Sequence, residues 1–143
     1  MNNKEIAQRC RDTMWRYDTA VREMGIAVSV SGPGMATTTI DVKAQMVNGH
    51  GICHGGFIFT LADSAFAYAC NTYDRVTVAA SAGIEFVRPA RLGDRLTAEA
   101  REVHRGGRTG IYDVEVTNEA GEVVAIFRGR SYATRQPIVK SDT

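Results

Sequence analysis

The chain has 143 residues, 44% of them hydrophobic, which suits one domain over residues 1–143 with a substantial core. Lys plus Arg number 17 against 16 Asp plus Glu, and this formal charge of +1 offers no global field for nucleic acid or an anionic membrane, so an anionic ligand must be held locally. The opening Met1-Asn2-Asn3-Lys4-Glu5 lacks the apolar core of a signal peptide, and no stretch approaches the ~20 apolar residues of a membrane span, so a soluble cytoplasmic protein is expected.

In chain order, Ile6, Cys10, Met14, Tyr17, Val21 and Met24 recur at intervals of three or four and predict an amphipathic helix over 4–24, closed by Gly25. β-Branched runs at 26–30 and 36–42 flank Ser31-Gly32-Pro33-Gly34, the composition of a hairpin turn. Residues 55–71 form the longest strongly apolar segment, with Phe57, Leu61, Ala62, Ala65, Phe66, Ala69 and Cys70 at helical spacings, and predict a helix buried nearly all round. The period then becomes two over 76–87, 94–104, 108–117 and 122–133, four strands joined by short turns in an antiparallel arrangement. One apolar helix ahead of a long antiparallel sheet predicts an α+β domain in which a curled sheet wraps a central helix. The tail, 136–143, is expected to fray.

Chemistry concentrates where Asn48-Gly49-His50-Gly51-Ile52-Cys53-His54-Gly55-Gly56 runs into the apolar helix. Glycines at a helix start leave N–H groups unpaired with the positive end of the macrodipole behind them, and an amide so placed polarises a carbonyl that gains negative charge. Asp63 lies inside the same helix, where a carboxylate without a partner is costly and function is the usual reason it persists. Ser81, in a run of small strand residues, is a candidate to hold a water or that carboxylate. Three cysteines, Cys10, Cys53 and Cys70, have no CxxC spacing and read as small apolar residues, because Cys53 beside His54 lacks a third orienting group. His50, His54 and His104 have no metal-ligand spacing, and no metal or other cofactor is expected.

Asn48, then His54-Gly55-Gly56, then Leu61-Ala62-Asp63, then Ser81 resembles the active-site pattern of hotdog-fold acyl-CoA thioesterases of the PaaI branch. Ala44-Gln45-Met46-Val47, Phe86-Val87-Arg88-Pro89 and Thr109-Gly110-Ile111-Tyr112-Asp113-Val114 are similar to the same branch, and the likeness extends over residues 25–132. The resemblance implies a hotdog fold and hydrolysis of an acyl-CoA thioester, with Gly55 as amide donor and Asp63 as nucleophile or general base. It also implies supporting roles for His54 and Asn48 in orienting the carbonyl or fixing the loop, and for Ser81 in placing water or the aspartate. Substrates would be aromatic acyl-CoAs, ring-hydroxylated phenylacetyl-CoA above all, as in phenylacetate degradation. Gly56 and Phe57 are then expected at the substrate, and Arg88, Arg91, Arg105 and Arg108 become candidates for the phosphates of coenzyme A. Hydratases and dehydratases of the same fold pair an acidic residue with a differently placed histidine, a spacing missing here; a non-catalytic acyl-CoA-binding module has no need of both Gly55 and Asp63.

Gly55 and Asp63 stand eight residues apart, about 12 Å along one helix axis, too far for both to serve one thioester. A homodimer with two antiparallel helices across a twofold axis would set Gly55 of one copy against Asp63 of the other. The resemblance implies such dimers, paired again into a homotetramer.

Overall fold

Asn2 opens the first helix, its side chain accepting the Glu5 N–H at 2.8 Å, and the computed structural model, which describes residues 1–139, continues α1 over Asn3–Tyr17. The single helix predicted over 4–24 is broken at Asp18. This residue leaves helical geometry at φ −90°, ψ 78° and its side chain accepts the Val21 N–H at 3.3 Å, starting a separate α2, Thr19–Glu23. Apolar spacing runs through the break because both helices face the same core, and only the capping side chain marks it. Gly25, at φ 76°, ends α2 in the left-handed conformation that glycine tolerates best.

β1 (Ala27–Gly32) and β2 (Met35–Asp41) form the expected hairpin, closed between Gly32 and Met35. After a 3-10 turn at Ala44–Met46 comes α3, Gly55–Cys70, then β3 (Thr77–Phe86), β4 (Arg95–Gly106), β5 (Thr109–Thr117) and β6 (Val123–Ala133). All pairs are antiparallel in one six-stranded sheet of order β1-β2-β4-β5-β6-β3. Only β4, β5 and β6 follow one another as a chain-order meander. The expectation that all four late strands do so is corrected, since β3 pairs with β6 and β4 crosses back to β2. Alternation shows that a strand has an inner face but not which neighbour completes it.

The curled sheet packs its inner face on α3. Thr38, Leu96, Ala98, Val116 and Phe127 are fully buried there against Leu61, Ala62 and Ala65. The Thr38 hydroxyl is satisfied by the Leu61 carbonyl at 2.9 Å. Phe127 meets Phe59 edge-on with ring centroids 5.3 Å apart, and Phe66 lies 5.8 Å from it. A Cβ at Gly129 would stand 2.8 Å from the Phe66 ring, so the strand passes that closely over the helix. α3 is not buried all round as predicted: Gly56, Thr60, Asp63 and Ala67, spaced three or four apart, form a stripe that its own sheet does not cover. The predicted fraying of the tail also fails over 136–139. The Gln136 carbonyl accepts the Val76 N–H at 2.7 Å, and Asp74 Oδ1 accepts the N–H groups of Ile138 and Val139 at 3.0 and 2.8 Å. The remainder of the tail, 140–143, lies outside the described residues.

Candidate active site

The loop before α3 is held by one side chain and two backbone bridges. Asn48 Oδ1 accepts the N–H groups of His50 and Ile52 at 2.9 and 3.1 Å, an Asx turn that folds the glycine-rich segment back on itself. The His54 and Cys53 N–H groups donate to the Met46 and Ala90 carbonyls at 2.9 and 2.8 Å. Of the two supporting roles expected for Asn48, its contacts are those of fixing the loop. His54 is exposed at the N-cap of α3 with extended backbone, and its imidazole makes no capping bond.

The helix begins with free donors. Phe57 N–H reaches the His54 carbonyl at 3.1 Å, whereas none of the described hydrogen bonds uses the Gly55 or Gly56 N–H. Their surroundings differ. A Cβ at Gly55 would lie 2.8 Å from Phe86 Cζ, and one at Gly56 would meet nothing within 4 Å. Phe86, at the end of β3, therefore rests on the first residue of α3 while remaining 53% exposed. Beside it opens a cavity of about 380 Å³ whose walls include Ile52, Gly55, Ile58, Phe86 and Val87. No local pattern marks Phe86 as a site residue, because its contact with Gly55 crosses 31 positions of sequence.

Asp63 sits partly buried on the uncovered stripe, and among the described residues no donor or basic side chain meets its carboxylate. Burial pushes its carboxyl above the usual range. Ser81 is not brought to it within the chain: the serine is exposed, just past an irregularity in β3, and pairs in register with Arg130. Phe57 is half-buried at the cluster's margin, while Phe66 and Tyr68 are core residues, Tyr68 donating to Asp18 Oδ2 at 3.0 Å. The arginines divide into two groups. Arg88 and Arg91 flank Pro89 near the Gly55 end, where Arg88 stands 3.7 Å from Glu122. Arg105 and Arg108 lie at the Cys70 end, with Arg105 stacked 3.6 Å over Tyr73 beside a recess of only about 20 Å³. All three cysteines are buried and free, and burial raises the Cys53 thiol and pushes Cys70 up to about 12, which leaves neither as a ready thiolate. Among the described residues no three His, Cys, Asp or Glu side chains converge as a metal-ligand set.

A six-stranded antiparallel sheet curled around one central helix defines the hotdog fold, and open amides at the helix start with a carboxylate along it are groups that acyl transfer can use. The chain belongs to the thioesterase superfamily, whose family model matches residues 50–125, from the Asn48 loop through α3 into β6. It is 46% identical to the acyl-coenzyme A thioesterase PaaI of Escherichia coli (strain K12), over 83% of this chain and 85% of that protein. A solved structure of the E. coli PaaI protein from the phenylacetic acid degradation operon superposes with a TM-score of 0.92 at 41% identity, covering 95% of this chain and 99% of that one. A Streptococcus mutans protein, smu.793, solved bound to acetyl CoA, matches with a TM-score of 0.74 at 28% identity, over 78% of this chain and 90% of that one.

Proposed function

We propose that this thioesterase hydrolyses acyl-CoA thioesters, with (hydroxy)phenylacetyl-CoA or a related aromatic acyl-CoA as substrate, at sites shared between two copies of the chain. The observation that carries the reading is the placement of an open Gly55 N–H and an unpaired Asp63 carboxylate on one helix, about 12 Å apart along its axis. Likeness to the E. coli thioesterase and to a relative solved with acetyl CoA supports the substrate class.

In this reading the Gly55 N–H binds the thioester carbonyl oxygen as it gains charge, a contribution of about 3 kcal/mol for one donor. The partner copy contributes the aspartate. Its ionised carboxylate either attacks the carbonyl carbon or takes a proton from the attacking water. In the first route the C–S bond breaks, coenzyme A leaves as a thiolate that takes a proton from solvent, and water then hydrolyses the aspartyl mixed anhydride to the free acid and the carboxylate. In the second, the water oxygen adds to the acyl carbon and its proton passes from the carboxyl to the departing sulfur. Asn48 acts through the loop, His54 and Ser81 border the reaction, and Arg88 and Arg91 of one copy with Arg105 and Arg108 of the other are the candidates for the phosphates of coenzyme A. Pairing two dimers into a tetramer extends the same proposal.

Mixing two inactive variants, Asp63→Asn and Gly55→Pro, tests the shared site. Each heterodimer holds one intact site and one doubly broken site, so random reassortment restores roughly a quarter of wild-type thiol release. Gly55→Ala, which keeps the N–H but places a Cβ 2.8 Å from Phe86, measures the steric part separately. Verified heterodimers as inactive as either parent would overturn the shared site. No thiol release from any acyl-CoA by the unmodified chain would overturn hydrolysis itself and leave a binding module or a hydratase. Single turnover in oxygen-18 water separates nucleophile from base, since direct attack first places an aspartate oxygen in the acid.

A further inference from the structure

We infer that Phe86 is a specificity-determining residue of this site, its ring forming the wall that limits the acyl group admitted beside the Gly55 N–H; this rests on the thioester-hydrolase reading above. Phe86 closes β3 opposite Ala125 in the register, on the side of the sheet that faces α3. It stops short of the core: 53% of it remains exposed, and its ring edge touches the start of the helix, with Cζ, Cε1 and Cε2 at 2.8, 3.2 and 3.3 Å from where a Gly55 Cβ would be. A large aromatic side chain left half in solvent at the mouth of a cavity is placed to meet something that enters.

The chemistry of the walls names the occupant. The cavity of about 380 Å³ has Ile52, Ile58, Phe86 and Val87 among its walls with Gly55 beside them, and its one charged lining residue, Arg88, is engaged with Glu122 and the Val123 carbonyl. An acyl group whose carbonyl oxygen reaches the Gly55 N–H carries its own carbon atoms into these apolar surroundings. The pantetheine arm of coenzyme A, with two amides that need donors and acceptors, gains little from such walls. The volume lies toward the small end of the ~300–1,000 Å³ typical of small-molecule sites, which suits one ring better than a long chain. An aromatic wall also favours an aromatic guest through offset or edge-on packing.

The test compares the unmodified chain with Phe86→Ala and Phe86→Leu by thiol release from phenylacetyl-CoA and octanoyl-CoA. Removing the ring should move the octanoyl-to-phenylacetyl ratio of kcat/KM toward octanoyl by at least ~10-fold, the scale of discrimination that pocket contacts provide. Phe86→Leu should move it in the same direction by less. Where thermal melting shows that the alanine variant does not fold, the leucine variant carries the test with the same sign. Equal loss on both substrates would overturn the inference, because the ring would then only brace Gly55. An unchanged ratio would overturn it as well. A chain that hydrolyses neither substrate before mutation would sink the hydrolase reading and this one with it, whereas turnover with a constant ratio sinks this one alone.

Discussion

The two edges of the sheet are finished differently. Along β1 the outward carbonyls are occupied: the Arg11 guanidinium donates to Val28 O at 3.1 Å and the Gln8 amide donates to Val30 O, both from α1. Along β3, among the described residues, no group other than β6 hydrogen-bonds to the backbone between Val78 and Phe86, and Val78 is 50% exposed on it. A helix can blunt an edge as well as fill a core, and an edge left open is a template for another chain. The open edge also ends at Phe86, on the first residue of α3, so the part of the molecule that is unfinished by itself adjoins the proposed site.

The largest effect expected on the open side is that of Asp63→Asn, which should lower kcat by at least ~100-fold while the fold survives, since an amide neither attacks nor accepts a proton. Retention of more than a tenth of wild-type kcat would make the carboxylate structural. Its pH behaviour follows from burial, which raises the folded carboxyl above its ordinary value of 3.8. The folded chain then binds that proton more tightly than the unfolded one, so this group's contribution to stability declines as pH rises from the ordinary value through the raised one. In the proposed mechanism activity needs the ionised form, and it should climb over the same window. Thermal melts should therefore show Asp63→Asn stabilising relative to wild type above the window and not below it.

Val78→Lys places a charge on the open edge, and for a proposed dimer that uses this edge sedimentation should show a shift toward monomer with thiol release falling alongside it. Dimers that persist with full activity would move the interface elsewhere. A smaller and purely structural effect is expected from two glycines on neighbouring strands. Gly129→Ala drives a Cβ to 2.8 Å from the Phe66 ring and should cost about 1–3 kcal/mol in chemical denaturation. Gly83→Ala, on β3 with nothing within 4 Å, should stay within about 0.5 kcal/mol. Equal effects would mean that β3 is as enclosed as the strand beside it. At the covered edge, Gln8→Ala with Arg11→Ala removes donors worth about 1 kcal/mol each. Concentration-dependent association appearing in that variant would show that α1 is what keeps β1 from pairing.

Much of this was legible in the chain because local chemistry writes it there. The apolar run behind Gly55 had to be a central helix, since its spacing is helical and a strand of that length without alternation is rare. The hairpin followed from Pro33-Gly34 between β-branched runs, and the donors at Gly55 and the carboxylate at Asp63 followed from residue type and position. Asp18 was readable in principle, as an aspartate three residues before the Val21 N–H that it caps, but the apolar period runs straight through it. Tertiary structure alone decided that β3 pairs with β6 at the far side of the sheet, that α1 covers one edge while nothing among the described residues covers the other, that Ile138 and Val139 dock on Asp74, and that Phe86 lies on Gly55. Each is a contact between distant segments, settled by which surfaces the folded sheet still has free, and neither periodicity nor propensity records that.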